Sequence, residues 1–209
     1  MMATEETPPT GSTELPSGDQ APAERADAAR NRAKILATAE ELVATQGVAT
    51  LSMHDVAAAA GVGVGTVYRR FGDQAGLIEA LMDQRERQLQ QAMATGAPPL
   101  GPGAPPTERV RAFLHAYVDL LDSYGTLMAA AEATMSPARR YGTGPYAVHH
   151  DHLATLIAQQ HPDANAHYLA DALLAPLAAG LFTYHRHELG MSTHHIKSGL
   201  DQLLAGLHP

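Results

Sequence analysis

The 209-residue chain has no cysteine. Disulfides, thiolate zinc sites and thiol redox sensing are therefore excluded, and the composition suits a reducing cytoplasm. Lysine is nearly absent, two residues against twelve arginines, and the net charge is −8. Such acidity argues against general coating of nucleic acid. Long apolar runs are also missing. The longest, Ala172 to Phe182, is too short to span a bilayer. The N-terminus is acidic and proline-bearing, without a basic region followed by an apolar core, so no secretory signal is expected. These absences predict a cytoplasmic protein with no membrane partner. Catalytic patterns are lacking as well: no nucleophile elbow, phosphate loop or paired-carboxylate setting can be placed. The glycines of GVGVGT follow AAAA, not a β-strand, so they do not form a dinucleotide loop. The chain reads as a non-enzyme with no cofactor.

What is present concentrates between Leu51 and Leu77: LSMHDVAAAAGVGVGTVYRRFGDQAGL. Ser52 followed by Asp55 is a capping box, flanked by Leu51 and Val56 as a hydrophobic staple. A helix should start near Met53 and end at Gly61, where a positive φ is tolerated. Gly63 is an acceptable N-cap for the next helix, with Val62 and Val67 at the staple positions. Asp73 can cap a third helix, whose apolar residues Leu77, Ile78, Leu81, Met82, Leu89 and Met93 keep helical spacing. Two short helices around a glycine turn are a helix-turn-helix candidate. With Val62, Val67 and Phe71 buried, Val64, Tyr68 and Arg69 face outward and can enter a major groove. Charge is distributed to match. Residues 1–24 carry five acidic and no basic groups, residues 25–75 a net +1, and residues 76–209 a net −4. A small positive excess beside one helix pair suits a reader of specific duplex sites. Arg30, Arg32 and Lys34 can add phosphate contacts, or simply form a solvated helix end.

The run DVAAAAGVGVGTVYRRFGDQAGL closely resembles the signature of the TetR family of transcriptional repressors. Ile35, Leu36, Ala39, Leu42, Val43, Gly47 and Thr50 also fall where that family places its first helix and following turn. The resemblance spans about Ala29 to Leu81. It implies that Thr66 and Tyr68 touch DNA phosphates, and that Val64 and Arg69 set sequence preference through a thymine methyl and a guanine. It places Arg70 near the DNA backbone. Two positions depart from the family pattern: Gly63 stands where a serine is frequent, and Gln74 where a lysine usually meets a phosphate. At Gln74 only the backbone N–H groups of the helix N-terminus remain to hold an anion.

The expected fold is all-α: an N-terminal helix-turn-helix DNA-binding domain, then a helical ligand-binding and dimerisation domain. Residues 1–24 read as a disordered tail, 25–72 as the DNA-binding domain and 73–95 as a connecting helix. Residues 96–106, GAPPLGPGAPP, read as a loop, and 107–209 as the larger domain. Within it, helices are expected over Arg109 to Leu121 and Thr126 to Met135, then a loop around Tyr141 to Tyr146 and a helix through Leu153, Leu156 and Ile157. A helix from Asn165 to Leu189 should kink at Pro176, and another should start at Ser192.

The resemblance implies that the last two helices pair with those of a second copy. Leu173, Leu177, Leu181 and Tyr184 on one, and Ile196, Leu200, Leu203 and Leu207 on the other, would form that homodimer interface. It also implies a cavity for a small-molecule effector, for which Phe113, Tyr117, Tyr124, Met128, Met135, Tyr168 and Phe182 are the candidate walls. Effector binding would favour a conformation with wrongly spaced reading heads and release a palindromic operator. Twelve histidines leave a rival open. His149, His150 and His152, with His185, His187, His194 and His195 and a carboxylate such as Asp151 or Glu188, contain donors suited to zinc, nickel or copper. A metal-sensing regulator, or a metal-dependent hydrolase, is that alternative, although the spacing matches no recognised metal pattern.

Overall fold

The computed structural model describes residues 20–142 and 144–206, and among them every regular element is helical. Helix α1 (Gln20–Gln46) is followed by α2 (Met53–Ala60), α3 (Val64–Phe71) and α4 (Gln74–Thr95). Their sequence signals act as local chemistry requires. The Ser52 hydroxyl accepts from the His54 and Asp55 N–H groups at 3.2 and 3.4 Å. Gly61 stops α2 in the left-handed region at φ 63°. The Asp73 carboxylate accepts from Gly76 N–H at 2.9 Å, opening α4. Helix α1 begins inside the stretch expected to be tail, and residues 1–19 lie outside the described residues.

Two cores result. The first packs Ile35, Leu36, Val56, Val67, Phe71, Leu77 and Leu81 between α1 and α4. The second gathers Phe113, Leu121, Leu153, Leu173, Phe182 and Leu200, among others, from the larger domain. Helix α4 serves both, with Leu77 and Leu81 in the first and Leu89 and Met93 in the second. Its 22 residues give a rod about 33 Å long, so a tilt at one end must move the other. Tyr124 of α5 (Pro106–Glu132) is the second link: it is buried in the first core, with Met128 packed beside that core, while the other buried apolar residues of the helix serve the second.

Several helices differ from their expected extents. The chain is without regular helix from Gly96 to Pro105. From there α5 runs unbroken to Glu132, so the two helices expected there are one. Gly125 lies inside it, buried, and a Cβ there would stand 3.4 Å from Phe182 Cδ1. The loop expected around Tyr141 to Tyr146 is shorter: α6 (Pro137–Gly142) and α7 (Gly144–Gln160) occupy most of it. Pro145, second in α7, needs no backbone donor in the first turn, which is why a Gly-Pro pair can open a helix here. Pro176 breaks the next segment outright, into α8 (Ala166–Leu174), a 3₁₀ turn over Ala175–Leu177, and α9 (Ala179–Thr183). A π-turn over Tyr184–Glu188 follows. Taken together, residues 166–188 are long and apolar enough to cross a bilayer. The 3₁₀ turn interrupts them, however, and Ala170, Leu173, Leu174, Leu177, Ala179 and Phe182 are buried in the second core.

Helix α10 (Thr193–Ala205) is capped by Ser192, whose hydroxyl accepts from His195 N–H at 3.2 Å. It is fastened to α5 by Asp201, which accepts from Arg111 at 2.9 and 2.7 Å and lies 2.9 Å from His115 Nε2.

Candidate nucleic-acid interface and effector cavity

Helix α3 is held by Val67 and Phe71, both buried, which turns Tyr68, Arg69 and Arg70 to solvent. Tyr68 is 44% exposed, with the His54 ring edge-on to it at 6.3 Å. Arg69 has no side-chain partner among the described residues. Arg70 is different: its guanidinium donates to the Ala28 carbonyl at 2.7 Å, tying α3 to α1. Val64 and Thr66 are half-buried, Gly63 is exposed, and Gln74 is exposed at the first position of α4. Of the basic residues on α1 expected to add phosphate contacts, Arg30 pairs with Asp27 and Arg32 lies over the Phe71 ring at 5.7 Å. Lys34 places its ammonium beside the Gly61 turn. The unclaimed groups on this face are therefore Tyr68 and Arg69, with Lys34 at the rim.

Gly76 carries part of this geometry without having been singled out. A Cβ at that position would sit 2.1 Å from the Phe71 carbonyl oxygen. Only glycine lets α4 start this close to the end of α3. A glycine three residues after the Asp73 cap, inside an apolar helical pattern, was the available signal.

In the larger domain a cavity of about 440 Å³ lies among Tyr117, Glu132, Arg140, Tyr141, Tyr146 and Asp171, closed by Leu174 and Leu177. An adjoining chamber of about 370 Å³ shares Tyr117, Glu132, Arg140 and Tyr146 and extends to Met82, Met128 and Met135. A smaller space bounded by Met82, Asp83, Glu86, Tyr124 and Met128 reaches α4. Arg140 is ion-paired with Glu132, and its guanidinium lies over the Tyr141 ring at 5.1 Å. Burial raises the Glu132 carboxyl above its ordinary range, although Arg140 and the Ala179 N–H pull the other way. Burial, and a hydroxyl donated to Asp171 at 2.7 Å, raise the Tyr146 phenol. Burial alone is the leading reason the Tyr117 phenol is raised. Tyr117 and Tyr146 are therefore neutral at physiological pH.

Four of the seven expected wall residues, Tyr117, Tyr124, Met128 and Met135, line these spaces. Phe113 and Phe182 instead fill the packed core, and Tyr168 is 69% exposed on α8, outside these cavities. Glu132, Arg140, Tyr141 and Tyr146 were not expected there. Their signal was the cluster Arg139, Arg140, Tyr141 in a segment whose Gly-Pro composition read as loop.

The apolar positions of the last helices divide. Leu173, Leu177 and Leu200 belong to the chain's own core. Ile196 packs against it from the edge, while Leu181, Tyr184 and Leu203 are 42, 49 and 53% exposed. Leu207 lies outside the described residues. Histidine spacing resolves similarly. His149 is buried, 2.9 Å from Glu86 of α4. His152 is half-buried, its Nε2 enclosed without a hydrogen-bond partner, and burial, with Arg109 and His149 nearby, pulls it down to about 4. Among the described residues, His150 and Asp151 of that run join His167 in a group of three whose potential ligand atoms lie within 4.8 Å of one another. His150 is already engaged there, 3.2 Å from Asp151 Oδ1 and 3.3 Å from the His167 carbonyl.

A capped helix pair presenting an unpaired tyrosine and arginine, joined by one helix to a cavity-bearing helical domain, defines a helix-turn-helix DNA-binding regulator. Residues 35–81 match the family model for bacterial regulatory proteins of the tetR family. A HTH-type transcriptional regulator of Staphylococcus aureus (strain MRSA252) is 30% identical over 152 residues, covering 70% of this chain and 74% of that protein. The chain belongs to the TetR family of transcriptional regulators. A TetR regulator from Streptomyces coelicolor superposes with a TM-score of 0.58 at 26% identity, over 85% of this chain and 98% of its own. A regulator from Saccharomonospora viridis, in complex with choline, gives 0.61 at 21% identity, over 85 and 96%; at that identity it speaks for the fold alone.

Proposed function

We propose that this regulator is a cytoplasmic repressor that binds a palindromic operator as a homodimer and is released by a small-molecule effector. The observation that carries the reading is that α4 serves both cores and that α5, seated in the second, carries Tyr124 into the first. A molecule entering the cavity pushes on the same elements that hold the reading helix. Tyr68 and Arg69 meet the duplex, Thr66 and the start of α4 at Gln74 meet phosphates, and Val64 faces a base edge. Arg70 steadies α3 through Ala28. The dimer surface is the part of the terminal helices left uncovered: Leu181, Tyr184 and Leu203, with Gly199 beside them, where a Cβ would meet nothing within 4 Å. Large exposed apolar side chains on paired helices suit an isologous contact. The choline held by the Saccharomonospora viridis relative supports a small-molecule occupant for this fold. The reading invokes no metal: His150 approaches the cavity wall, its Nε2 3.7 Å from Asp171 Oδ1, but none of His150, Asp151 and His167 lines these cavities.

Binding stoichiometry on an inverted repeat selected from random duplexes tests the reading. Two protomers should bind per duplex, a single half-site should bind far more weakly, and Leu203→Glu should give a folded monomer that has lost the full site. One protomer per duplex, or a Leu203→Glu dimer of native affinity, would refute it.

A further inference from the structure

The chemistry of the larger cavity is unusual for an apolar pocket. Its walls carry three tyrosine rings and two carboxylates, Glu132 and Asp171, and the one guanidinium among them is Arg140. That guanidinium does what a bound cation would do. It lies over the Tyr141 face at 5.1 Å and pairs with Glu132, while Tyr146 stands edge-on to Tyr141 at 5.0 Å. Aromatic faces and a desolvated carboxylate form a recognition site for an organic cation, because ring quadrupoles favour a diffuse positive charge with little hydration to lose.

We infer that the effector is a compact organic cation and that Arg140 is its tethered stand-in, displaced from Glu132 and Tyr141 when the effector binds. The inference rests on the proposed effector role of this cavity. With Arg140 in place, Glu132 is neutralised from within the chain; once Arg140 leaves, both carboxylates of the cavity face the ligand. Arg139 lies on the wall of the adjoining chamber only, and His150, 3.7 Å from Asp171 Oδ1, stands behind the lining, so the walls themselves are left acidic. Displacement is also inexpensive. Arg140 sits on α6, six residues none of which is buried, so the helix can shift without opening either core. Its movement would be felt directly at Glu132, the last residue of α5, the helix that also carries Tyr124 into the DNA-binding core. A carboxylate ligand is the competing occupant, since it too would seek Arg140. It would have to take Arg140 from Glu132 and leave that carboxylate unpaired beside it, with Asp171, which accepts from Tyr146, on the same wall; both oppose it electrostatically.

Calorimetric titration of the full chain with tetramethylammonium, tert-butanol and acetate decides between them, using native, Arg140→Ala and Glu132→Gln proteins whose folding is verified by circular dichroism. Tetramethylammonium should bind saturably and tert-butanol, similar in shape but uncharged, should not. Removing the internal competitor should tighten cation binding about tenfold in Arg140→Ala, as expected when a self-occupied state is abolished. Glu132→Gln should weaken it about tenfold. If Arg140→Ala does not fold, Arg140→Gln keeps the stem and must show the same tightening. Acetate binding that is lost in Arg140→Ala would overturn the inference, as would cation binding that Arg140→Ala weakens or leaves unchanged, or no cation binding at all. Operator binding by the same preparations separates the two readings. DNA binding without cation binding defeats only the effector class. Cation binding with the expected variant responses, but without DNA binding, upholds the effector class and defeats the operator reading.

Discussion

Replacing Gln74 with lysine would place a charge at a position proposed to face the DNA, where the family resemblance implies a lysine. Gln74 is exposed and is the first residue of α4, so its side chain projects where that helix presents free N–H groups. Neighbouring Asp73 is occupied in capping Gly76, yet its carboxylate makes the spot locally negative. A lysine there adds one phosphate contact per protomer, two per dimer. Each contact steepens the dependence of log K on log salt by about 0.9, so the slope should become more negative by about 1.8. Between 50 and 200 mM salt that amounts to roughly a twelvefold greater loss of affinity than in the native protein. Because phosphate carries no sequence information, binding to selected and random duplexes should tighten alike at low salt. Fluorescence anisotropy across a salt series on both duplexes reads both effects. A slope equal to the native one would show that position 74 does not approach the DNA, and the orientation of α3 and α4 on the duplex would have to be redrawn.

Two further outcomes test the architecture. Gly76→Ala forces a Cβ against the Phe71 carbonyl and should cost about 2–3 kcal/mol of stability, measured by urea unfolding; an unchanged midpoint would mean that α3 and α4 are not this close. His152 is held neutral in the fold, at about 4 against an ordinary 6.5, so the unfolded chain binds the extra proton between those values. Its contribution is intact above pH 6.5 and is lost as pH falls towards 4, by about 1–2 kcal/mol once its partial exposure is allowed for. His152→Leu should therefore lose less stability than the native protein between pH 6.5 and 4, and parallel pH profiles would contradict the buried placement.

How much of this was readable in the residues depended on range. Ser52, Gly61, Asp73 and Ser192 act within one helical turn, and each caps or ends its helix where spacing alone placed it. The helix-turn-helix was legible for that reason; Pro176 signalled only a kink, where the structure has a full break. Periodicity could not say which partner a face would meet. Leu173, Leu177 and Leu200 share a stripe with Leu181 and Leu203, yet the first three fill the chain's own core. The cavity was least legible. Tyr141 and Tyr146 flank a glycine-rich stretch that reads as loop, and only tertiary packing brings them against Glu132 and Asp171. Arg70 shows the same limit on a smaller scale: its neighbour Arg69 is identical in type, but a carbonyl 42 positions away claims Arg70 alone.

Selection from a random duplex library by the purified full chain, beside a Tyr68→Ala, Arg69→Ala variant, tests the central claim most directly. The account predicts that the native protein enriches one inverted repeat and that the folded double variant enriches none. Enrichment of the same repeat by both proteins, or of no repeat by a folded native dimer at low salt, would contradict it.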